Sequence, residues 1–276
     1  MAARGMMGLG ISRLLFVGLG VLCALWAGQA QALPLYDAVR KSYAASDAVL
    51  VDCHGVPLYE VRTDKHNRRL AWTALVDISP ALVQAVIQAE DKRFYDHRGV
   101  DYWSMGKAII RGLTAEGLRG ASTITMQLAS LLDCDLQPRK GGRTVWQKGK
   151  QVLEAREMER RWSKNQILEA YLNLITFRGE LQGIAAAARG LFGKDPHGLD
   201  QAEGLVLASL IRSPNAASTE IAARALLLRQ ALSWSVQEAE INATVSRTLC
   251  GGATLRSSVD LASHVARLLV KGPIPG

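Results

Sequence analysis

The sequence is short of the features that announce a metal-bound or disulfide-framed protein. Its four cysteines, Cys23, Cys53, Cys134 and Cys250, lie far apart and lack C-x-x-C spacing, which argues against a zinc or redox motif. Cys23 falls in an amino-terminal apolar segment. The other three are an odd number, so at most one pair can form. There is no internal repeat, no low-complexity tract and no nucleic-acid-binding signature. Acidic residues are in deficit, 25 against 33 lysines and arginines, for a net charge of +8. That excess points to an anionic partner such as phosphate, pyrophosphate, a membrane surface or nucleic acid; without the signature, no nucleic acid is expected. What remains is a 276-residue chain, enough for one large domain or two small ones.

No strictly apolar run reaches the ~20 residues of a typical membrane span. The nearest approach is Leu14 to Ala27, preceded by Arg4 and Arg13. Positive residues ahead of an apolar core mark an export signal, with the amino terminus left in the cytoplasm. Adding Ile11 and Gly28 to Ala32 gives a segment long enough to span, while Ala30-Gln31-Ala32 offers a small-residue cleavage site. Residues 1–32 therefore read as an export signal or a membrane anchor, with the anchor preferred. Residues 33–48 read as a short polar connector.

Beyond the connector, Ala48 to Asp52 and His54 to Tyr59 suggest a small hairpin turning near Gly55. From Ser79 onward the signals are mostly helical. Ser79 can cap a helix with Pro80 at its first position and Leu82, Val86 and Ile87 on one stripe. Asp101 can cap a helix carrying Trp103, Ile109 and Ile110. Ser122 can cap the helix of Leu128, Leu131 and Leu132. A charged helix runs through Val152, Ala155, Met158 and Trp162. Ser163 with Gln166 makes a capping box, and Asp200 with Glu203 forms a second acidic start. Ser213-Pro214-Asn215 stops the latter helix, and residues 222–241 read as one further helix. The fold class is mainly α with a small β element.

Glu90 is the chemically conspicuous position. It continues the apolar stripe of its helix, at i+4 from Val86 and i+3 from Ile87. A carboxylate at the end of an apolar face is partly desolvated and meets the negative end of the helix dipole. Both effects raise its pKa, which suits proton transfer near neutral pH.

Two blocks give this position a context. The first reads Glu90, Asp91, Phe94, His97, Gly99. The second is Gly120-Ala121-Ser122-Thr123-Ile124-Thr125-Met126-Gln127-Leu128. Together they resemble the peptidoglycan glycosyltransferases of glycosyltransferase family 51, which form the amino-terminal module of bifunctional penicillin-binding proteins. Ala121 and Met126 stand where that pattern has Gly and Gln, and both changes resemble the branch called penicillin-binding protein 1C. The resemblance covers about Val49 to Ala217, followed over 218–276 by a helical extension and a truncated linker.

It implies a lysozyme-like glycosyltransferase domain on the periplasmic side of a bacterial inner membrane. It also implies lipid II and a growing glycan strand as substrates, and other cell-wall synthesis proteins as candidate partners. Glu90 would be the general base. Asp91, Phe94, His97, Ser122, Thr123 and Gln127 would line the substrate site, with Arg143, Lys148, Lys150 and Gln151 meeting the pyrophosphate. Asn173 and Arg178 would be polar groove contacts, and Tyr171 core. No cofactor is required by this reading, although a divalent cation, Mg²⁺ or Mn²⁺, is compatible with it.

Two departures stand out. Gln151 occupies the place of the family's second glutamate, leaving Glu154 as the nearest substitute, and Ser130 replaces a usual Lys or Arg. Glu157 and Glu159 read as solvated partners of nearby arginines. Gly190-Leu191-Phe192-Gly193-Lys194 resembles a packing turn. Ser104 to Lys107 fits Ser-x-x-Lys, but no Lys-Thr-Gly accompanies it, so a transpeptidase site is not expected. The alternative function is a truncated, catalytically weak remnant that binds lipid II or a partner.

Overall fold

A computed structural model describes residues 33–54, 56–64, 66–106, 122–136 and 144–250. The expected anchor, the glycine-rich loop before Ala121, Arg143 and the carboxy-terminal segment lie outside the described residues. In chain order the helices are α1 (Tyr36–Ser42), α2 (Pro80–Glu90), α3 (Ile124–Leu132), α4 (Val145–Arg161), α5 (Lys164–Leu174), α6 (Ile184–Phe192), α7 (Gln201–Ile211), α8 (Ser218–Leu232) and α9 (Glu238–Cys250). Among the described residues there are also two antiparallel strand pairs: β1 (Asp47–Val51) with β2 (Pro57–Arg62), and β3 (Thr176–Arg178) with β4 (Leu181–Gln182). The protein is mainly helical.

The hairpin lies where the sequence suggests it, with Asp47 opposite Arg62 and Leu50 opposite Tyr59. Asp52 closes its turn by accepting from the backbone N–H groups of His54 and Val56, both at 2.8 Å. The expected polar connector is more ordered than its composition implies. Residues 36–42 form a helix that buries Tyr36 and Val39. The Tyr36 hydroxyl donates to Glu169, which also accepts from Trp72 Nε1 and the Leu75 N–H. Three separate donors thus tie the segment ahead of α2 to α5.

α7 is the central helix. Asp200 and Glu203 form its capping box, and every residue from Ala202 to Ile211 is buried. An all-round buried helix needs neighbours on every side; α2, α8, α9 and β3 supply them. α2 approaches it at Gly204, where an added Cβ would stand 3.2 Å from the Leu82 N and Cα atoms. Leu82, Ala85 and Val86 form the buried stripe of α2, so this packing sets where Glu90 emerges. Pro80 starts α2 as expected. Ser79 sits at the cap position, but its hydroxyl donates to Leu199 O at 2.7 Å instead of capping; it anchors the helix to the chain entering α7.

Two further expectations need correction. α3 is capped by Thr123, whose Oγ1 accepts from Met126 N at 3.1 Å, one residue later than Ser122. The Ser122 hydroxyl is engaged by Lys148 instead. Residues 222–241 do not form one helix. The chain breaks at Ser233, which takes a left-handed conformation with φ 54°. The break folds α9 back against α7 and α8 and buries Ile241 and Val245, apolar residues that a straight continuation would carry away from α7.

Candidate active site

α2 ends at Glu90, whose side chain is half-buried at a cleft of about 180 Å³ also lined by Gln88, Asp91, Asp101, Ser122 and Thr123. Burial pushes the Glu90 carboxyl up. A hydrogen bond from Gln127 and the charges of Arg212 and Arg224 pull it down, and the neighbouring Asp91 adds to the rise. Gln127 Nε2 donates to Glu90 Oε2 at 2.7 Å. Gln127 Oε1 in turn accepts from the Tyr171 hydroxyl at 2.9 Å. Tyr171 is fully buried, as its core assignment anticipates, and its phenol is held well above the ordinary range by that burial and by the charges of Glu90 and Asp91.

Asp91 faces inward. Its carboxylate oxygens lie 2.9 and 3.0 Å from His97 Nε2, and Oδ2 accepts from the Ile124 N–H at 3.1 Å. Gly99 O accepts from Thr123 Oγ1 at 2.6 Å. Gly99 itself has φ 87°, and a Cβ there would stand 2.6 Å from Ala155 O, so only glycine fits between the loop and α4. Asp91, His97 and Gly99 therefore position the start of α3, which carries Thr123 and Gln127. Phe94, expected to meet substrate, is fully buried, with Lys164 Nζ 4.4 Å from its ring centroid. Lys164 also donates to His97 O and Glu159, and Glu159 accepts from Thr125 Oγ1 at 2.7 Å. Glu159 is thus a buried strut and not a solvated charge; Glu157 does pair with Arg160 and Arg161 at the surface.

The expected basic patch divides. Lys148 Nζ donates to Ser122 Oγ at 2.5 Å and Gln151 Oε1 at 3.1 Å, which places its charge beside the cleft. Lys150 Nζ lies 2.5 Å from Asp133, 3.5 Å from Glu154 and 3.8 Å from Asp135. Enclosed by three carboxylates, it belongs to the α3–α4 packing and not to an anion site. Gln151 is also removed from direct contact. It is fully buried, and its Nε2 donates to Met126 O at 2.5 Å and Ser130 Oγ at 2.6 Å. Glu154 has its pKa raised to about 7 by burial and a hydrogen bond with Asp133, with Lys150 opposing.

Asn173 and Arg178, expected in the groove, are structural. Asn173 is buried and exchanges hydrogen bonds with both backbone groups of Thr73 at 2.8 Å. Arg178 Nη1 donates to Pro214 O at 3.2 Å, joining β3 to the loop after α7. Ser104 donates to Asp101 at 2.6 Å and its N–H caps on the same carboxylate, so its hydroxyl serves a helix start. Sequence reasoning missed the polar function of Tyr171, Arg212 and Arg224. A tyrosine on a buried stripe needs a partner for its hydroxyl, and that is the signal that marks Tyr171.

A family model described as Transglycosylase matches residues 54–235. The chain belongs to the transglycosylase family. It is 38% identical to penicillin-binding protein 1A of Neisseria flavescens over 166 residues, which are 60% of this chain and 20% of that protein. It is 36% identical to penicillin-binding protein 1C of Escherichia coli over 168 residues, 60% of this chain and 21% of that one. With the biosynthetic peptidoglycan transglycosylase of Haemophilus influenzae it shares 35% over 168 residues, covering 60% and 65%. The chain thus spans about a fifth of the penicillin-binding proteins it matches.

Proposed function

We propose that this transglycosylase-family chain is a peptidoglycan glycosyltransferase that polymerises lipid II into β-1,4 glycan and releases undecaprenyl diphosphate. The observation that carries the reading is Glu90 in the cleft, desolvated and held by Gln127, beside the Lys148–Ser122 pair at the start of α3. In this reading Glu90 takes the proton from the acceptor 4-hydroxyl. The freed oxygen attacks the donor anomeric carbon, and the C–O bond to an α-linked pyrophosphate breaks on the opposite side. One displacement with inversion gives the β link. Lys148 and the Ser122 hydroxyl meet the departing negative charge, whereas Thr123 is spent on Gly99 O and Met126 N and the Ile124 N–H on Asp91. The finer architecture, a lysozyme-like lobe anchored at the inner membrane, belongs to the same proposal and rests on the motif resemblance and the apolar segment at Leu14 to Ala27.

A divalent cation has no part in these steps. Asp91 is engaged by His97 and Ile124, Asp101 by Arg93 and Ser104, and Gln151 is neutral; among the described residues these do not assemble a cation site.

The test is polymerisation of labelled lipid II by the purified chain in detergent, wild type against Glu90→Gln. The variant should lose ~10²- to 10⁴-fold, the usual worth of general-base help. Equal activity would remove Glu90 from the mechanism. One observation favours the second reading, a weakly active lipid II-binding protein: the buried Gln151 cannot supply a second carboxylate. Binding of lipid II without turnover would select it.

A further inference from the structure

The hydrogen bonds behind Glu90 run in one direction. A buried amide can be turned either way round, and its orientation is set by what its neighbours can donate or accept. Tyr171 lies at the end of this chain, fully buried, with its hydroxyl 2.9 Å from Gln127 Oε1. Its raised pKa keeps it protonated throughout the working range, so it is always available as a donor. Donation from Tyr171 requires the Gln127 oxygen to face the tyrosine, and the Gln127 NH₂ must then face Glu90 Oε2 at 2.7 Å. An N–H aimed at a carboxylate favours its ionised form. The reversed amide would present its oxygen to Glu90 and so favour the protonated acid. It would also leave the Tyr171 hydrogen without its acceptor in a buried site, which is costly.

We propose that Tyr171 is a positioning residue for the proton acceptor: its hydroxyl locks the Gln127 amide in the orientation that keeps Glu90 ionised. This rests on the reading of Glu90 as general base. The other groups acting on Glu90 are Asp91 beside it, Arg212 at the end of α7 and Arg224 on α8. Asp91 opposes ionisation and the two arginines support it. None of the three constrains the Gln127 amide through a hydrogen bond.

A general base works when deprotonated, so turnover falls as pH drops through its pKa, and anything raising that pKa moves the acidic limb upward. Tyr171→Phe keeps the ring and removes only the donor. In lipid II polymerisation by the full chain, its acidic limb should rise by about one pH unit, because hydrogen bonding to the charged form is one of the terms that set a pKa. Turnover should then be ~10-fold low on the acid side and normal on the alkaline plateau, with KM unchanged, since one pH unit is a tenfold change in protonation. Adding Tyr171→Phe to Gln127→Met should produce no further shift, because both act through one contact.

Should Tyr171→Phe fail to fold, as judged by circular dichroism and melting, incorporation of 3-fluorotyrosine at position 171 replaces it; the more acidic phenol is a better donor and should move the limb downward. An unchanged limb in a folded variant, or a loss equal at every pH, overturns the proposal. Glu90→Gln assayed in parallel keeps the two claims apart. If Glu90→Gln is active, the base reading fails. If it is inactive while the limb of Tyr171→Phe matches wild type, only the present inference fails.

Discussion

Lys148 and Lys150 are separated by one residue on α4, yet they sit in different chemistry. Lys148 reaches Ser122 and Gln151 at the cleft end of α3, whereas Lys150 is enclosed by Asp133, Asp135 and Glu154 at the other end of that helix. Helical residues two positions apart point to different sides, so a basic run along a helix never presents one surface. Lys150 is set apart by three carboxylates within 3.8 Å of its Nζ. A cation ringed by three acids has little field left for an incoming pyrophosphate, while Lys148 is bonded to a hydroxyl that lines the cleft.

The widest expected gap is between Lys148→Ala and Lys150→Ala. If Lys148 meets the departing pyrophosphate, removing it should lower turnover by ~10²-fold or more with a smaller change in affinity, because the interaction strengthens in the transition state. Lys150→Ala should leave turnover near wild type and lower stability by only about 0–1 kcal/mol, the range of partly exposed pairs. Steady-state kinetics on lipid II at two salt concentrations decides it. A small, salt-sensitive loss of affinity in Lys148→Ala would erase the distinction.

A smaller effect is expected at Gln151→Glu. The glutamine donates to Met126 O inside the protein, and an ionised carboxylate cannot. Setting a carboxylate oxygen against that carbonyl, which keeps its Ser130 hydroxyl partner, should destabilise the fold by about 1–3 kcal/mol without raising turnover. Denaturant melts beside the polymerisation assay measure both. A large gain in rate would mean instead that the missing carboxylate limits this chain.

The subtlest test concerns pH on the Lys150 side. Burial and the hydrogen bond with Asp133 raise Glu154 to about 7 from an unfolded value of 4.5. The folded state therefore prefers the neutral acid. Its contribution is full below pH 4.5, declines as pH rises towards 7 and is lost above that. Asp133 is shifted the other way, so its effect is confined to acid below 3.8. Glu154→Gln should flatten stability across the 4.5–7 window and leave the arrangement of Lys148 untouched. A melting temperature with the same pH slope in the variant would show that another group carries the dependence.

The helical pattern was legible wherever a local rule decided it. The capping boxes at Ser163 and Asp200, the proline start of α2 and the hairpin at Asp52 depend on neighbours a few residues away. The break at Ser233 was not legible, since no glycine or proline marks it; it follows from the need to return α9 to α7. In the site, sequence placed Glu90 at the end of an apolar stripe. It overcounted the residues able to touch a ligand, because Phe94, Asn173 and Gln151 turned out to be fully or nearly fully buried.

The sequence by itself determined the family, the mainly helical class and the position of the acidic residue on its helix. These are written in residue order, spacing and apolar period, which need no partner from elsewhere in the chain. Tertiary structure alone decided which polar side chains face the cleft and which face one another. Tyr171 meets Gln127 across 44 positions, and Gln127 meets Glu90 across 37. Contacts at such separations depend on how helices pack, and packing follows from shape complementarity over whole surfaces, which a local reading of residue types does not contain.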